Sequence, residues 1–212
     1  MTQITAERPK TLLQLAGAKL RPPALDQSVL VLVDVQNEYV DGVLPLAGVD
    51  AAINDAARLL ASARAAGTPV IHVVHHSVPG GPAFAPDTRG AEIVPELTPL
   101  PSEEVIVKRA PNAFANTPLR ARLEHYAETG RTSMILAGFM THMCISSTAR
   151  AALDLGIPTT VVAGATATRD LPDPLGGAIK AETVQATALA ELADRFACVV
   201  ADADALAEAS VP

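Results

Sequence analysis

The feature that most constrains the fold is an unbroken apolar run at residues 29–33, which begins after Ser28 and ends at the carboxylate of Asp34. A strand with one face in water alternates apolar and polar residues, so a run without alternation indicates a strand buried on both faces. Such strands occur in parallel sheets covered by helices on both sides. Asp34 would then lie at the carboxyl end of its strand, the edge at which open α/β sheets bind ligands.

Further apolar segments predict five more strands, which mostly alternate with helical patterns. The first helix is predicted to have Asp50 as its N-cap and to end at Gly67. Two later helices are predicted at residues 142–155 and 178–193. The further predicted strands are residues 69–75, 105–108, 133–138, 159–163 and 197–201. This alternation predicts right-handed βαβ units, and therefore a three-layer α/β/α, Rossmann-like fold with a mostly parallel six-stranded sheet.

The composition indicates one domain, at residues 28–212, behind an N-terminal arm at residues 1–27. Hydrophobic residues make up 49% of the chain and charged residues 18%, which is enough for a large core. The net charge of -7 repels nucleic acid and anionic lipid, so we expect neither as a partner. The apolar stretch at residues 12–18 is too short for a membrane span, and two cysteines provide no disulfide framework. We therefore expect a cytoplasmic enzyme.

Asp34, Lys108 and Cys144 are predicted to lie on one rim of the sheet, since each stands at or just after the carboxyl end of a predicted strand. Taken singly, such residues are more often a turn residue, a solvated lysine and a small core residue. Thr141 could cap the helix that contains Cys144, and the helix N-terminus together with Lys108 would lower the pKa of the thiol. Cys198, inside an apolar strand, has neither neighbour and is expected to be structural.

Three segments carry a resemblance to a known family: residues 33–39 (VDVQNEY), 108–114 (KRAPNAF) and 138–150 (GFMTHMCISSTAR). In this order they resemble the isochorismatase-like cysteine hydrolases, the superfamily that includes nicotinamidases and N-carbamoylsarcosine amidases. The resemblance implies that Cys144 is the nucleophile and that Asp34 accepts and later returns a proton. Lys108 would supply the charge that organises the pair.

The same resemblance implies an oxyanion hole formed by the backbone N–H groups of Met140 and Cys144. These donors would stabilise the oxyanion that forms when sulfur attacks an amide carbonyl. The resemblance also implies a cis peptide bond between Phe139 and Met140, which would aim the Met140 N–H into the site. The reaction would pass through a thioester and would need no cofactor.

Aromatic residues are few, yet several follow strand ends on the same rim, which predicts a small pocket with apolar walls. The expected pocket residues are Tyr39, Phe84, Phe114, Phe139 and His142. For the four aromatic residues, a role as core residues beneath the loops is an equally good interpretation. Tyr39 has the stronger case because it matches an aromatic wall position in nicotinamidase-like proteins.

His72, His75 and His76 cluster at the end of the second predicted strand, where nicotinamidases carry a metal site. The Asp-x-His pattern of that site is absent from this segment, and adjacent strand residues point in opposite directions. We therefore predict polar roles and no metal. The loss of the metal site also weakens nicotinamide as a substrate.

The favoured function is hydrolysis of the C–N bond of a small amide, ureide or lactam. One alternative is an isochorismatase-type hydrolase that cleaves an enol ether without a covalent intermediate, although the cysteine at the nucleophile position argues against it. Another is a non-catalytic redox-sensing or ligand-binding domain on the same fold, since an activated thiol oxidises readily. We expect a small-molecule substrate and a homo-oligomer, either a dimer or a tetramer, because the arm and the Ala-rich helices could pack against a second copy.

Overall fold

Eight strands and six α-helices form in residues 9–18 and 21–209, which the computed structural model describes. The strands are β1 (Ser28–Val33), β2 (Val70–His75), β3 (Glu104–Lys108), β4 (Ser133–Phe139), β5 (Thr159–Ala167), β6 (Leu171–Pro172), β7 (Ala178–Ile179) and β8 (Cys198–Val200). The helices are α1 (Leu12–Leu15), α2 (Val49–Ala65), α3 (Leu119–Ala127), α4 (Ser146–Asp154), α5 (Ala181–Glu191) and α6 (Ala203–Ala209).

Six strands form one parallel sheet in the order β3-β2-β1-β4-β5-β8, while β6 and β7 form a separate antiparallel hairpin. The predicted α/β fold with a six-stranded parallel sheet is therefore confirmed. The chain adds strands on one side of β1 and then, from β4 onward, on the other. The order thus reverses between β1 and β4, and ligand sites form at such reversals beyond the carboxyl ends of the strands.

The unbroken apolar run has its explanation in two hydrophobic clusters, one on each face of the sheet. Leu30 and Leu32 of β1 face the cluster that contains α2 and α6. Val29, Val31 and Val33 face the cluster that contains α3 and α4. Since successive strand residues point to opposite faces, a strand between two helical layers needs an apolar residue at every position.

The first long helix ends as predicted but begins differently. Gly48, in the left-handed conformation at φ 68, is the N-cap of α2, and Asp50 lies inside the first turn. The prediction of Asp50 as the N-cap was therefore wrong, although a carboxylate in the first turn still interacts favourably with the helix dipole. Gly67 follows the C-terminus with φ 66, the left-handed conformation expected of a glycine there.

Some elements were not predicted from the sequence. Helix α3 buries Leu119 and Leu123 along an otherwise polar sequence, so its apolar periodicity is weak. The β6–β7 hairpin occupies part of the segment predicted to begin the last helix. Between β2 and β3 the described chain forms only two short 3-10 turns, Arg89–Ala91 and Pro95–Leu97, in agreement with the predicted long loop.

The described part of the N-terminal arm contacts its own domain. Thr11 and Gln14 form a capping box around α1, and the N–H of Leu12 donates to Oδ1 of Asp194 at 2.8 Å. Residues 1–8 and 19–20 of the predicted arm lie outside the described residues. Within the described ranges, no helix has the length and apolar character that crossing a bilayer would require.

Candidate active site

Three strand ends bring the predicted site residues together at one rim of the sheet. Asp34 follows β1 in a left-handed conformation (φ 54), and its N–H donates to the Val73 carbonyl at 2.7 Å. Lys108 is the last residue of β3. Cys144 follows β4 within the helical turn Thr141–Ile145. Because β1 and β4 are neighbours where the strand order reverses, Asp34 and Cys144 flank that point.

Lys108 contacts the other two side chains. Its Nζ lies 2.7 Å from Oδ2 of Asp34 and donates to Sγ of Cys144 at 3.2 Å. All three residues are buried, with 0%, 1% and 5% of Asp34, Lys108 and Cys144 exposed. Apart from this contact with Lys108, no donor among the described residues meets good hydrogen-bond geometry at either carboxylate oxygen of Asp34, so the carboxylate keeps acceptor capacity beside the thiol. We refer to Asp34, Lys108 and Cys144 as the triad.

The protonation state of the triad differs from the expectation. Burial, and then the negative charge of Asp34, raise the pKa of the Cys144 thiol to about 12, against the lowering effect of Lys108. Burial also raises the pKa of Asp34, although Lys108 opposes that shift. The prediction of a lowered thiol pKa was therefore wrong, because desolvation of the charged form outweighs one neighbouring cation. At neutral pH the thiol keeps its proton and needs a base in order to react.

The turn that carries Cys144 also differs from the predicted capped helix. Residues Thr141–Ile145 form a π-helical turn, and α4 begins at Ser146. Thr141 is not a helix cap, because its hydroxyl donates to the Ala167 carbonyl of β5 at 3.0 Å. This bond attaches the nucleophile turn to the neighbouring strand. Short π-helical turns frequently occur at functional sites.

The chain just before this turn passes very close to β1. The Phe139–Met140 peptide bond is cis, as the resemblance implied. The Met140 N–H donates no hydrogen bond within the described part of the chain. Gly138 has φ 115, and a Cβ there would lie 2.0 Å from the Val33 carbonyl oxygen. Only glycine permits this approach, which keeps the Cys144 turn beside the end of β1.

The four predicted pocket aromatics separate into two groups. Tyr39 packs edge-on against Phe84 and Phe139, with ring centroids 5.0 and 5.8 Å apart. Phe139 is completely buried and supports Tyr39 from the core, which agrees with the alternative interpretation of these rings as core residues. Phe114 packs, partly buried, against the cluster on the α3 and α4 face. The first three rings therefore form one aromatic group, and Phe114 lies outside it.

Arg169, which the sequence analysis missed, lies on the same rim after β5. Burial and the charges of Asp34 and Cys144 raise the pKa of Tyr39, and the charge of Arg169 lowers it. Tyr39 therefore lies close enough to Asp34, Cys144 and Arg169 to interact electrostatically with each of them. The Nε–H of Arg169 is buried without a partner among the described residues. Nδ1 of His142 lies 2.6 Å from Oγ1 of Thr168, and burial and Arg169 lower the pKa of His142.

Gln36 and Glu38, two buried polar residues shortly after Asp34 whose roles were not predicted from the sequence, hold neighbouring chain segments by hydrogen bonds. The Gln36 side-chain amide donates to the carbonyls of His75 and Ala91 at 3.0 and 2.7 Å and accepts from the His75 N–H at 2.9 Å. The Glu38 carboxylate accepts from the N–H groups of Val43 and Phe84 at 2.7 and 3.3 Å. The sequence signals were their position after a buried strand and their place in the segment 33–39 that carries the family resemblance.

The three histidines have separate environments: His72 and His75 belong to β2, and His76 follows it with its N–H donating to the Lys108 carbonyl at 3.0 Å. His72 is buried, with Nε2 3.0 Å from Oε2 of Glu103. The ring of His75 packs edge-on against Phe84. Burial lowers the pKa of His75 to about 4, and the charges of Lys108, His76 and Arg109 add to this shift. Over the described ranges, no cluster of three or more His, Cys, Asp or Glu side chains could hold a metal ion.

Known proteins share this fold and sequence pattern. Residues 28–204 match the Isochorismatase domain family. The secreted isochorismatase effector Isc1 of Verticillium dahliae is 40% identical over 177 residues, or 84% of this chain and 89% of that protein. The ureidoacrylate amidohydrolase RutB of Cronobacter sakazakii is 31% identical over 169 residues, or 61% of this chain and 72% of that protein. The crystal structure of an isochorismatase from Pseudomonas putida has 42% identity and a TM-score of 0.84, covering 91% of this chain and 97% of that one. The chain belongs to the isochorismatase family and is a hydrolase.

Proposed function

We propose that this hydrolase cleaves the C–N bond of a small amide, ureide or lactam through a covalent thioester on Cys144. The observation that carries the proposal is the contact of Lys108 Nζ with both Asp34 Oδ2 and Cys144 Sγ, at 2.7 and 3.2 Å. A nucleophile, a base and an organising charge within contact distance are the parts that nucleophilic acyl transfer needs.

In the first step Asp34 removes the proton from Cys144 as the sulfur attacks the substrate carbonyl. The thiol pKa of about 12 makes this base necessary, because little thiolate exists at neutral pH. Lys108 keeps a positive charge beside the sulfur and the carboxylate while the proton moves. The carbonyl oxygen becomes an oxyanion, with the N–H groups of Met140 and Cys144 as its donors.

In the second step the C–N bond breaks and Asp34 returns its proton to the departing nitrogen. The acyl group remains on sulfur as a thioester. A water molecule then loses a proton to Asp34 and attacks the thioester. Collapse of that intermediate releases the acid, and the sulfur takes its proton back from Asp34. Every proton and bond in this cycle is accounted for without an organic cofactor or a metal.

Arg169 supports the further proposal that the substrate carries an anionic group. Its guanidinium acts on the pKa values of Tyr39 and His142, and its buried Nε–H has no partner among the described residues. A buried donor without a partner is unfavourable, and a carboxylate would satisfy it with a charge-assisted hydrogen bond. Tyr39 is protonated at neutral pH, and burial raises its pKa further, so its phenol is a hydrogen-bond donor to the same substrate.

The proposed partner is this small molecule, with neither nucleic acid nor a membrane involved. We also propose a homo-oligomer, a dimer or a tetramer, which light scattering on the purified protein would measure. A cytoplasmic location remains a proposal as well, because the relative Isc1 is named a secreted effector. Fractionation of the source cells would test that location.

The test is ammonia release from a panel of small amides and ureides, with intact-mass detection of an acylated enzyme. Cys144→Ala should reduce turnover by at least about 1,000-fold and remove the acyl adduct. Cys198→Ala, the matched control, should keep full activity. An active Cys144→Ala variant would overturn the mechanism.

A second candidate is hydrolysis of an enol ether, which the names of the Verticillium dahliae and Pseudomonas putida proteins favour. That reaction needs Asp34 and Lys108 but no acylated sulfur. Cys144→Ala would then still hydrolyse isochorismate while the Asp34→Asn variant would not. Retained isochorismatase activity in the alanine variant therefore distinguishes the two candidates.

A further inference from the structure

The turn that carries Cys144 places a second side chain, that of His142, against the end of β5. Nδ1 of His142 lies 2.6 Å from Oγ1 of Thr168, which directly follows β5. Thr168 is 2% exposed, and its carbonyl accepts the N–H of Ala47 at 2.9 Å, so its main chain is fixed as well. The hydrolytic cycle of the triad assigns no task to this contact.

The contact determines which nitrogen of His142 carries the proton. A neutral imidazole has one N–H donor and one acceptor nitrogen, whereas a hydroxyl has one proton to donate and can also accept. Within the described ranges, Nδ1 is the only hydrogen-bond partner of the Thr168 hydroxyl. If Nδ1 carried the proton, the proton of this buried hydroxyl would have no acceptor, which is unfavourable. The favoured arrangement therefore has the hydroxyl donating to Nδ1 and the imidazole proton on Nε2.

Nε2 of His142 is free to bind a ligand. The residue is half-buried, and Nε2 has no hydrogen-bond partner among the described residues but is not closed off from solvent. Burial and the charge of Arg169 lower the pKa of His142, so the imidazole is neutral at pH 7. A neutral Nε2–H close to a guanidinium is a second donor for the same acceptor group, and it adds no repulsion between two cations.

We propose that Thr168 is a positioning residue, which keeps the proton of His142 on Nε2 so that this N–H and Arg169 together bind the anionic group of the substrate. The inference rests on the proposed function, which supplies the anionic substrate. Arg169 directly follows Thr168, so the two donors come from neighbouring points on the rim. Cys144 is two residues after His142 in the same turn, which links the bound anionic group to the position of the sulfur. A hydrogen bond whose geometry is fixed in advance costs less entropy on binding.

The tautomer can be measured directly on the full-length protein. Nitrogen-15 NMR of histidine-labelled protein distinguishes a protonated from an unprotonated ring nitrogen, and the variant His142→Phe identifies the signals of His142. At pH 7 we expect an unprotonated Nδ1 and a protonated Nε2. Thr168→Ser should preserve this pattern, whereas Thr168→Val, which keeps the shape but lacks the hydroxyl, should shift the Nδ1 signal. A protonated Nδ1 in the parent protein would overturn the proposal, whether or not the variants fold.

Binding is measured in the Cys144→Ala variant, with N-carbamoylglycine and its methyl ester as probes. Ligands of this size bind in the millimolar range or tighter, so the titration extends to about 20 mM. The acid should shift the Nε2–H signal of His142 in a saturable way, and the ester should bind at least about fivefold more weakly. Thr168→Val in the same background should weaken binding of the acid by about threefold to tenfold. The absence of any shift with the acid would overturn the proposal.

The matched control is Thr160→Val, which also removes a buried hydroxyl from β5, but one that has no partner in the described part of the chain. It should change neither the His142 signals nor the affinity for the acid. The acyl adduct on Cys144 of the parent protein tests the proposed function separately. An adduct together with unchanged acid affinity in Thr168→Val would overturn this inference alone.

Discussion

Lys108 and Asp34 form a completely buried ion pair, with 2.7 Å between Nζ and Oδ2 and no exposed surface on either side chain. Removal of two charges from water is costly, and their mutual attraction offsets that cost only while both are present. The pair also contacts Cys144, so the same contact serves the fold and the proposed reaction.

Lys108→Met should therefore destabilise the protein as well as inactivate it. Loss of one partner leaves a buried carboxylate uncompensated, which typically costs about 3–5 kcal/mol. Urea unfolding at pH 7 measures the free energy of unfolding. The double variant Asp34→Asn/Lys108→Met should lose less than the sum of the two single losses, because it leaves neither charge unpaired. Wild-type stability of Lys108→Met would show that the pair is not buried in solution.

The raised thiol pKa leads to a second prediction, which is best measured in a Cys198→Ala background so that only Cys144 titrates. Thiolate absorbance should stay low up to about pH 10, well above the value of about 8.5 for a free cysteine. Asp34→Asn should lower the thiol pKa, because the carboxylate charge that disfavours the thiolate is gone. A thiolate already present at pH 7 in the parent protein would mean that Asp34 is not needed to activate the sulfur.

The positions of the triad could be predicted from the sequence, whereas its protonation state could not. Asp34, Lys108 and Cys144 follow apolar runs that are recognisable as strands, and a parallel sheet collects its strand ends on one rim. The pKa of Cys144 depends on how completely the surrounding chain excludes water, and that is a property of packing. The sequence showed the cation and the helix start but not the desolvation that outweighs them.

Residues and elements whose roles depend on tertiary contacts could not be predicted from the sequence either. Gln36 and Glu38 act through backbone groups of a distant loop, and no local pattern identifies those partners. Arg169 follows the end of β5, which extends four residues beyond the predicted strand. Helix α3 has only two buried residues, so its periodicity is too weak to recognise.

Gly138→Ala should be strongly destabilising because the new Cβ would lie 2.0 Å from the Val33 carbonyl oxygen. Gly130→Ala is the matched control, since Gly130 also has a positive φ but nothing lies within 4 Å of its added Cβ. The control should cost about 1 kcal/mol for the backbone conformation alone. Gly138→Ala should cost more than about 3 kcal/mol, measured by urea unfolding. Equal costs would rule out the close approach of β4 and β1.

Glu103→Gln should reduce the acid sensitivity of the fold. Burial raises the pKa of Glu103, but hydrogen bonds from Arg64, the Leu100 N–H and His72 outweigh it and bring the pKa to about 2. Because the folded pKa lies below the unfolded value of 4.5, the stabilisation is complete above pH 4.5 and is lost as the pH falls towards 2. This shift corresponds to up to about 3 kcal/mol.

The measurement is the free energy of unfolding of both proteins at pH 7, 5 and 3.5. At pH 7 the glutamine variant should be less stable, and its stability should fall less between pH 5 and 3.5. His72 has a pKa lowered mainly by burial, so its protonation in the unfolded chain adds a loss that begins below pH 6.5 in both proteins. If the free energies of unfolding of the two proteins fell by the same amount between pH 5 and 3.5, Glu103 would not carry the acid-sensitive contact.

Arg169→Gln should impair anionic substrates selectively. A charge-assisted hydrogen bond to a substrate carboxylate contributes about 1.5–3 kcal/mol, so its loss should raise KM about tenfold to a hundredfold. The comparison uses N-carbamoylglycine and its methyl ester, which differ in that charge. Only the acid should lose kcat/KM, while kcat changes little because Arg169 does not touch the triad. Arg169→Lys should recover part of the loss, and Arg120→Gln should behave as the parent protein. An equal loss for acid and ester would mean that Arg169 supports the rim of the site without binding the substrate's charge.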